Sequence, residues 1–246
     1  MRCSSSSSET TRRACKRLRR SILQRVQTAH SKCCARFSIC FVAYFFLTDA
    51  NTAEIVQDNT EIAFFYLHEM VNATTKQRGG LSKAKLRGLL AEYGPIRVNT
   101  VVSSGSLFLV EICRARHLRE TTLLACVKEL VETHGALVNL VTYESASSRQ
   151  SALTVAAARG MSSVVKYLLS QGANPHMTCT GRFRLTQQQQ QQQQRASVYR
   201  QDATPCEFAQ AMRDAQVGAA ATREVLNSLD ACIRLLQQAA ANVAKP

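Results

Sequence analysis

Apolar residues recur along much of this chain at spacings of three and four, which is the period of helices with one buried face. The clearest case lies on either side of Gly160 and consists of Leu153, Ala156, Ala157, Val164, Val165, Leu168 and Leu169. It predicts two amphipathic helices, the first ended by Gly160 and the second by Gly172 in a left-handed conformation. A helical hairpin of this size cannot bury its apolar face alone, so we expect it to pack against similar neighbours.

Residues 151–176 contain two short sequences, SALTVAAARG and VVKYLLSQGANPH. They resemble the two halves of an ankyrin repeat, which usually read TPLHxAAxxG and VVxLLLxxGADxN. The resemblance implies a helix–turn–helix unit within a stack that binds other proteins. Ala152 replaces the proline that normally opens the first helix, Thr154 replaces a histidine that bonds between loops, and Met161 replaces a second histidine. We expect each change to weaken capping or loop coupling by about 1 kcal/mol.

A degenerate copy of this unit precedes it. Residues 105–113 resemble the first helix, and residues 126–139 resemble the second helix with the ending HGALVN. The stretch between them is about six residues longer than in the clear repeat and is charged, so we expect it to extend the turn outward. Residues 53–104 have helical spacing and the ending YGPIRVN, and they are either a fourth degenerate repeat or an unrelated helical cap.

Another copy follows after an interruption. Thr204-Pro205 restores the Thr-Pro pair of the family, and residues 232–236 supply a second helix after an insertion around 213–227. The interruption contains the glutamine run Gln187 to Gln194, a low-complexity tract that cannot form a packed core, so we expect a solvated loop. The predicted organisation is a leader at 1–52, a repeat or cap at 53–104 and a repeat region at 105–240, with repeats at about 105–140, 151–183 and 204–239 and a glutamine loop at 184–203.

The chain shows no long stretch of alternating polar and apolar residues, so the sequence does not predict strands. The predicted fold class is all-α. It is a short ankyrin-type helical solenoid, preceded by a basic leader that is either disordered or helical. The 246 residues suffice to bury one continuous elongated core, and we expect a monomer.

Ten cysteines without a CxxC pair do not indicate a disulfide framework. Cys113, Cys126, Cys206 and Cys232 fall on apolar helix positions, where a free thiol behaves as a small apolar group, and this favours a reducing compartment. The sequence has no glycine-rich phosphate loop and no nucleophile elbow, and its five histidines are scattered. It therefore predicts a non-catalytic protein with no cofactor and no bound metal.

The net charge of +14 is concentrated in the leader. Residues 1–36 carry ten basic residues against Glu9 alone, which leaves +5 for the rest of the chain. This composition suits an organelle presequence, a nuclear import signal or a patch that contacts phosphates through Arg12, Arg13, Lys16, Arg17, Arg19 and Arg20. The apolar run from Phe37 to Leu47 is short for a membrane span but is also consistent with a signal or anchor segment. We expect a cytoplasmic or nuclear protein, with organelle targeting and membrane tethering left open.

In ankyrin proteins the partner usually contacts the turn tips and the first helices, and the resemblance implies the same here. The implied contact residues are Ser147, Ser148 and Gln150 at the tip of the clear repeat, Ala158 and Arg159 on its first helix, and Arg114, Arg116, Gln210, Met212 and Arg213 in the neighbouring repeats. Arginines from three successive repeats would form a positive groove, which favours an acidic protein partner. The alternatives are a nucleic-acid-associated protein that uses the basic arm and a membrane-tethered adaptor.

Overall fold

The structure is a computed structural model that describes residues 52–72, 81–94, 96–116, 118–145, 148–184, 197–218 and 221–243. Within these ranges, the side chains of residues 52–58 and 184 are not described. The predictions for the leader, for Ser147 and for the glutamine run therefore lie outside the described residues, as do those for Arg12, Arg13, Lys16, Arg17, Arg19 and Arg20. The described residues from Thr52 onward belong to one structural unit.

Eight α-helices and two strands form within the described residues. The helices are α1 (Thr52–Asn72), α2 (Lys83–Glu92), α3 (Phe108–Arg114), α4 (Glu120–Lys128), α5 (Ala152–Ala158), α6 (Ser162–Ser170), α7 (Pro205–Gly218) and α8 (Arg223–Val243), and the strands are β1 (Cys179–Arg184) and β2 (Ser197–Ala203). A π-helical segment, Glu129–Thr133, directly continues α4. The prediction that this part of the chain is mainly helical is confirmed.

The odd-numbered helices form one row and the even-numbered helices form a second row. Each helix packs on the next member of its own row, and the two helices of each consecutive pair also contact each other. The side chains between the rows form a core that runs through all four pairs and includes Phe108, Ile112, Leu153, Leu168, Phe208 and Leu236. Each amphipathic helix thus buries its apolar face against a neighbouring pair, as the periodicity requires.

The clear repeat of the sequence forms helices α5 and α6. Ser151 is the N-cap of α5, because its hydroxyl accepts a hydrogen bond from Thr154 N at 3.1 Å. The Thr154 hydroxyl also donates to Cys179 Sγ at 3.2 Å, so the residue in place of the usual histidine still bonds to the next segment. Gly172 has a φ of 80°, which confirms the predicted left-handed end of α6, and Gly160 has a φ of 71°. The hydroxyl hydrogen bonds of Ser151 and Thr154 thus replace part of the capping and loop coupling that the departures from the ankyrin pattern remove.

Strands β1 and β2 form an antiparallel hairpin in which Arg184 lies opposite Ser197. The expectations of an all-α fold and of a loop throughout 184–203 are therefore wrong. The physical reason is Phe183, whose buried side chain meets Phe208 of α7 edge to face, with ring centroids 5.1 Å apart. This contact fastens the hairpin to the last helix pair and places its polar residues on the outside.

The two insertions seen in the sequence mostly lengthen helices. Helix α4 begins at Glu120, so only residues 115–119 link α3 to α4, and the expectation of an outward-extended turn is wrong. The π-helical segment takes up extra backbone without ending the helix. In the last pair, α7 continues to Gly218 and α8 begins at Arg223, so most of the insertion at 213–227 is helical.

Among the described residues, no helix is long and apolar enough to cross a membrane. The same part of the chain contains no group of three or more His, Cys, Asp or Glu side chains that could hold a metal ion. Cys113, Cys126 and Cys232 are buried free thiols, in line with their predicted apolar role, whereas Cys206 is only partly buried. Burial raises the pKa of Cys113 and of Cys232 to about 12, so both thiols stay protonated at neutral pH.

Candidate interaction surface

A short β-ribbon precedes α5. Its backbone pairs with the β1–β2 hairpin, which follows α6 in the chain. Val141 pairs with Ser151 at the base of this ribbon. Arg149, in the returning arm, bonds to Thr180 of β1 in both directions, with N–O distances of 2.7 and 2.8 Å. Residues 141–145 and 148–151 and strands β1 and β2 therefore form one continuous paired backbone, which we name the finger surface.

Gly105 fixes the edge of the finger surface that faces the second helix pair. Its carbonyl accepts a hydrogen bond from Tyr143 N at 2.7 Å. Gly105 has a φ of 78°, and a Cβ atom at this position would lie 2.5 Å from the carbonyl oxygen of Tyr143. Only glycine tolerates both the conformation and the close approach.

Two arginine–tyrosine pairs occupy the finger surface. The guanidinium of Arg149 lies 5.5 Å from the ring centroid of Tyr143, and that of Arg182 lies 6.0 Å from the ring centroid of Tyr199. Both distances fall within the range of cation–π attraction. The tyrosines are 58% and 40% exposed, respectively, although large aromatic side chains are usually well buried. Tyrosine and arginine are the residue types enriched at the energetic centres of protein interfaces, so the composition suits binding of another protein.

A pocket of about 430 Å³ opens on the same surface. Its lining residues come from the end of α3, from the ribbon before α5 and from both strands of the hairpin, and they are Arg114, Glu144, Ser148, Gln150, Arg182 and Tyr199. The structure thus brings together three of the predicted contact residues, Arg114, Ser148 and Gln150. The hairpin supplies the other side of the pocket, which the sequence did not indicate.

Arg114 is held in this pocket by groups from several segments. Its Nη1 atom donates to Glu144 and lies 3.6 Å from Glu111 Oε2, and its Nη2 atom donates to Gln150 Oε1 at 2.7 Å. Glu111 is buried and also accepts a hydrogen bond from His68 Nδ1 at 2.7 Å. This hydrogen bond raises the pKa of His68 above its ordinary value. A chain of charged groups therefore runs from α1 to the finger surface.

Arg159 was predicted to face a partner, and it faces its own protein. Its guanidinium is mostly buried and donates to the carbonyl of Cys113 and, at 2.8 Å, to that of Ala115. These carbonyls lie at the end of α3, so Arg159 caps a helix of the preceding pair. Desolvation lowers the pKa of Arg159 to about 10, which leaves it protonated at neutral pH. The predicted exposure of Arg159 is wrong, and so is that of Ala158, which is 1% exposed.

The remaining predicted residues lie outside the pocket. Arg213 forms an ion pair with Asp230 and thereby braces α7 against α8. Met212 is buried, whereas Arg116 is exposed. The structure therefore does not align Arg114, Arg159 and Arg213 as a groove of free positive charge, because two are paired with carboxylates and the third caps a helix.

Sequence interpretation missed four residues that dominate the finger surface: Tyr143, Arg149, Arg182 and Tyr199. A weak signal was available for the hairpin, since Arg182, Phe183 and Arg184 alternate polar and apolar side chains with the period of a strand. Three residues are too few to decide between a strand and a loop, and the adjoining glutamines favoured the loop.

Residues 148–180 contain one arm of the ribbon, helices α5 and α6 and the first residues of β1. These residues match the ankyrin-repeat family model. The match confirms the resemblance predicted for the clear repeat and extends it to the ankyrin tip at Ser148. Ankyrin repeats are typically non-catalytic units that bind other proteins. No curated protein matches the chain at a significant level.

Proposed function

We propose that this protein is a non-catalytic adaptor that binds another protein through the finger surface of a short ankyrin-type solenoid. The observation that carries the proposal is the pair of exposed tyrosines, Tyr143 and Tyr199, each with an arginine over its ring. One of these pairs flanks the ankyrin match and the other lies on the hairpin that is bonded to it.

The packing of the helices supports the solenoid part of the proposal. Four consecutive helix pairs stack in two rows, and the pair that matches the ankyrin model is the third of them. Because a repeat unit of this kind needs neighbours to bury its apolar face, the flanking pairs serve as degenerate repeats. Helix α5 of the matched pair is buried along its whole length, so a partner that approaches this repeat from the side of its first helix meets the finger surface and not α5 itself.

The charge of the finger surface favours an acidic partner. Arg149, Arg182 and Arg200 are exposed there, whereas the exposed carboxylates are Glu144 and Asp202. Glu144 is already paired with Arg114. An acidic partner would therefore be attracted to this surface at a rate that falls with ionic strength.

Site-specific photo-crosslinking tests the proposed function. A benzophenone amino acid would replace Tyr143 or Tyr199 in the full chain, and a control protein would carry it at Lys166, an exposed residue of α6. We expect both finger positions to crosslink to the same protein, identified by mass spectrometry, and the α6 position not to do so. That protein, once purified, should bind the wild-type chain in titration and bind the Arg149→Glu variant at least tenfold more weakly. Equal crosslinking at all three positions, or none at 143 and 199, would contradict the proposal.

A further inference from the structure

The residues that line the pocket on the finger surface are of polar or charged types and carry more positive than negative charge. Two arginines, Arg114 and Arg182, line it together with one carboxylate, that of Glu144. Within the described part of the chain, Arg182 makes no salt bridge, and its guanidinium rests over the exposed ring of Tyr199. A cavity of about 430 Å³ has room for one side chain of a partner with its surrounding water. Its lining suits an anionic group, because guanidinium groups bind carboxylates through charge-assisted hydrogen bonds.

The side chains that pair with Arg114 differ in how firmly they are held. Glu111 and Gln150 are buried, so they remain in place whatever binds to the surface. The Glu144 side chain is 27% exposed and lies in the ribbon, where its second oxygen accepts only a longer hydrogen bond from Ser148 Oγ at 3.3 Å. Glu144 is therefore the partner of Arg114 that an incoming carboxylate can replace.

We propose that this pocket recognises an aspartate or glutamate side chain in an extended segment of a partner protein, and that Glu144 is the internal carboxylate which this side chain displaces. The proposal rests on the proposed function, since it names the chemistry by which the finger surface selects its partner. In the bound state the partner carboxylate lies between Arg114 and Arg182, and Tyr199 contacts the adjoining peptide. Glu144 turns to solvent, where its charge is hydrated.

The alternative occupant, a single nucleic-acid strand, fits the surface less well. A strand would need a continuous track of positive charge for successive phosphates. The finger surface instead places the carboxylates of Glu144 and Asp202 among its arginines. One carboxylate can be displaced by one acidic side chain, whereas a chain of phosphates would be repelled at both positions.

Fluorescence anisotropy with the purified full-length chain tests the proposal. The probes are a fluorescein-labelled twelve-residue peptide of alternating Glu and Ser, the matching peptide of Gln and Ser, and a labelled oligouridine of equal charge. We expect the Glu peptide to bind at least tenfold more tightly than the Gln peptide at about 50 mM salt, and less tightly as salt rises to about 300 mM. Because the basic leader can itself attract oligouridine, the comparison is repeated with the Arg182→Glu variant. Oligouridine that binds more tightly than the Glu peptide and loses this binding in Arg182→Glu would overturn the proposal.

Two charge-matched pairs of variants locate the binding. Arg182→Glu should weaken binding of the Glu peptide at least tenfold, whereas Arg223→Glu, the same change at an exposed residue of α8, should alter it less than twofold. Glu144→Gln should strengthen binding about three- to tenfold by removing the internal competitor. Glu224→Gln, which changes the net charge equally at another exposed residue of α8, should not. All four variants should have the wild-type thermal midpoint within about 2 °C, as surface substitutions usually do.

The Glu144 variant separates displacement from a merely structural role. If Glu144 only positions Arg114, Glu144→Gln will weaken binding or leave it unchanged, and the displacement proposal fails. If the Glu peptide does not bind while Tyr143 and Tyr199 still crosslink to one protein, the carboxylate specificity is wrong and the proposed adaptor function stands.

Discussion

The side-chain amide of Asn139 donates to the carbonyl of Gly172 at 2.9 Å and so joins two consecutive helix pairs. Its oxygen accepts a hydrogen bond from Asn174 N at 2.8 Å. The same pair of bonds links Asn99 to the carbonyl of Gly135 and to the amide of Leu137, at 3.0 and 2.8 Å. The shared Val-Asn ending of the first two units thus has a structural role, because each asparagine bridges to the end of the next unit.

Replacing Asn139 should therefore weaken the coupling between helix pairs. We expect Asn139→Ala to lower the free energy of unfolding by about 1–2 kcal/mol, since two hydrogen bonds are lost at a partly solvated position. Asn139→Asp keeps the acceptor for Asn174 but loses the donor to Gly172, so it should lose roughly half as much. Urea unfolding followed by circular dichroism measures both values. Equal stability of the wild-type and alanine proteins would show that the bridge contributes nothing.

Arg159→Met should destabilise the protein even though the position was predicted to bind a partner. The change keeps the apolar stem but leaves the carbonyls of Cys113 and Ala115 without their donor, which costs about 1–3 kcal/mol. The stability of Arg159→Lys should fall between those of the wild type and Arg159→Met, because lysine retains the charge but loses the forked geometry of the guanidinium. Thermal unfolding checks this, with Arg223→Met as the surface control. A change in binding without a change in stability would restore the original assignment of Arg159.

Stability should depend on His68 below neutral pH. Its hydrogen bond to Glu111 raises the pKa of His68, the nearby charge of Glu69 adds to the effect, and burial and the charge of Arg114 oppose it. A raised pKa in the folded state means that the stabilisation is complete below the unfolded value of about 6.5 and is lost as pH rises through the folded value. The difference in unfolding free energy between wild type and His68→Gln should thus be larger at pH 5.5 than at pH 8.5. His176→Gln serves as the control, and a pH-independent difference for His68→Gln would contradict this account.

The contact that Glu129 makes between the first and second helix pairs should weaken in acid and lower the stability of the protein. Arg87 donates two hydrogen bonds to its carboxylate, at 2.8 and 3.0 Å, and Lys83 lies 3.1 Å away. The Arg87 hydrogen bonds lower the pKa of Glu129 to about 2, so its stabilisation is present above about 4.5 and is lost as pH falls toward 2. The stability difference between wild type and Glu129→Gln should shrink over that interval in urea unfolding. Glu132→Gln is the control, and a difference that persists at pH 2 would refute the assignment.

Gly105→Ala should be more destabilising than Gly172→Ala. Both glycines have positive φ, which costs an alanine about 1–2 kcal/mol. At Gly105 the new methyl group also meets the backbone of Tyr143, adding about 1–3 kcal/mol, whereas nothing lies within 4 Å of a Cβ at Gly172. Differential scanning calorimetry compares the two variants. Equal losses of stability in the two variants would mean that the ribbon moves away from the new methyl group at residue 105 at no cost in free energy.

The helices could be predicted because the spacing of apolar residues follows directly from which face is buried. Phe108 and Leu168 lie in the core for that reason. The role of Arg159 could not be predicted, since its acceptor at Cys113 is 46 residues away and belongs to another helix pair. The hairpin escaped prediction because its one strong apolar anchor, Phe183, depends on the position of Phe208. Local pattern thus fixes the scaffold, while the candidate site depends on contacts between segments distant in sequence.

The series of asparagine bridges ends at Asn174. Its side-chain oxygen accepts a hydrogen bond from the backbone amide of His176, two residues further along the chain. The last helix pair is instead joined to the ankyrin segment largely by apolar packing, in which Leu229, Cys232 and Leu236 of α8 are buried. Apolar attraction weakens on cooling, whereas hydrogen-bonded coupling does so much less. We therefore expect the last helix pair to lose stability on cooling more than the other pairs, so its amide hydrogen exchange should accelerate relative to theirs as the temperature approaches freezing.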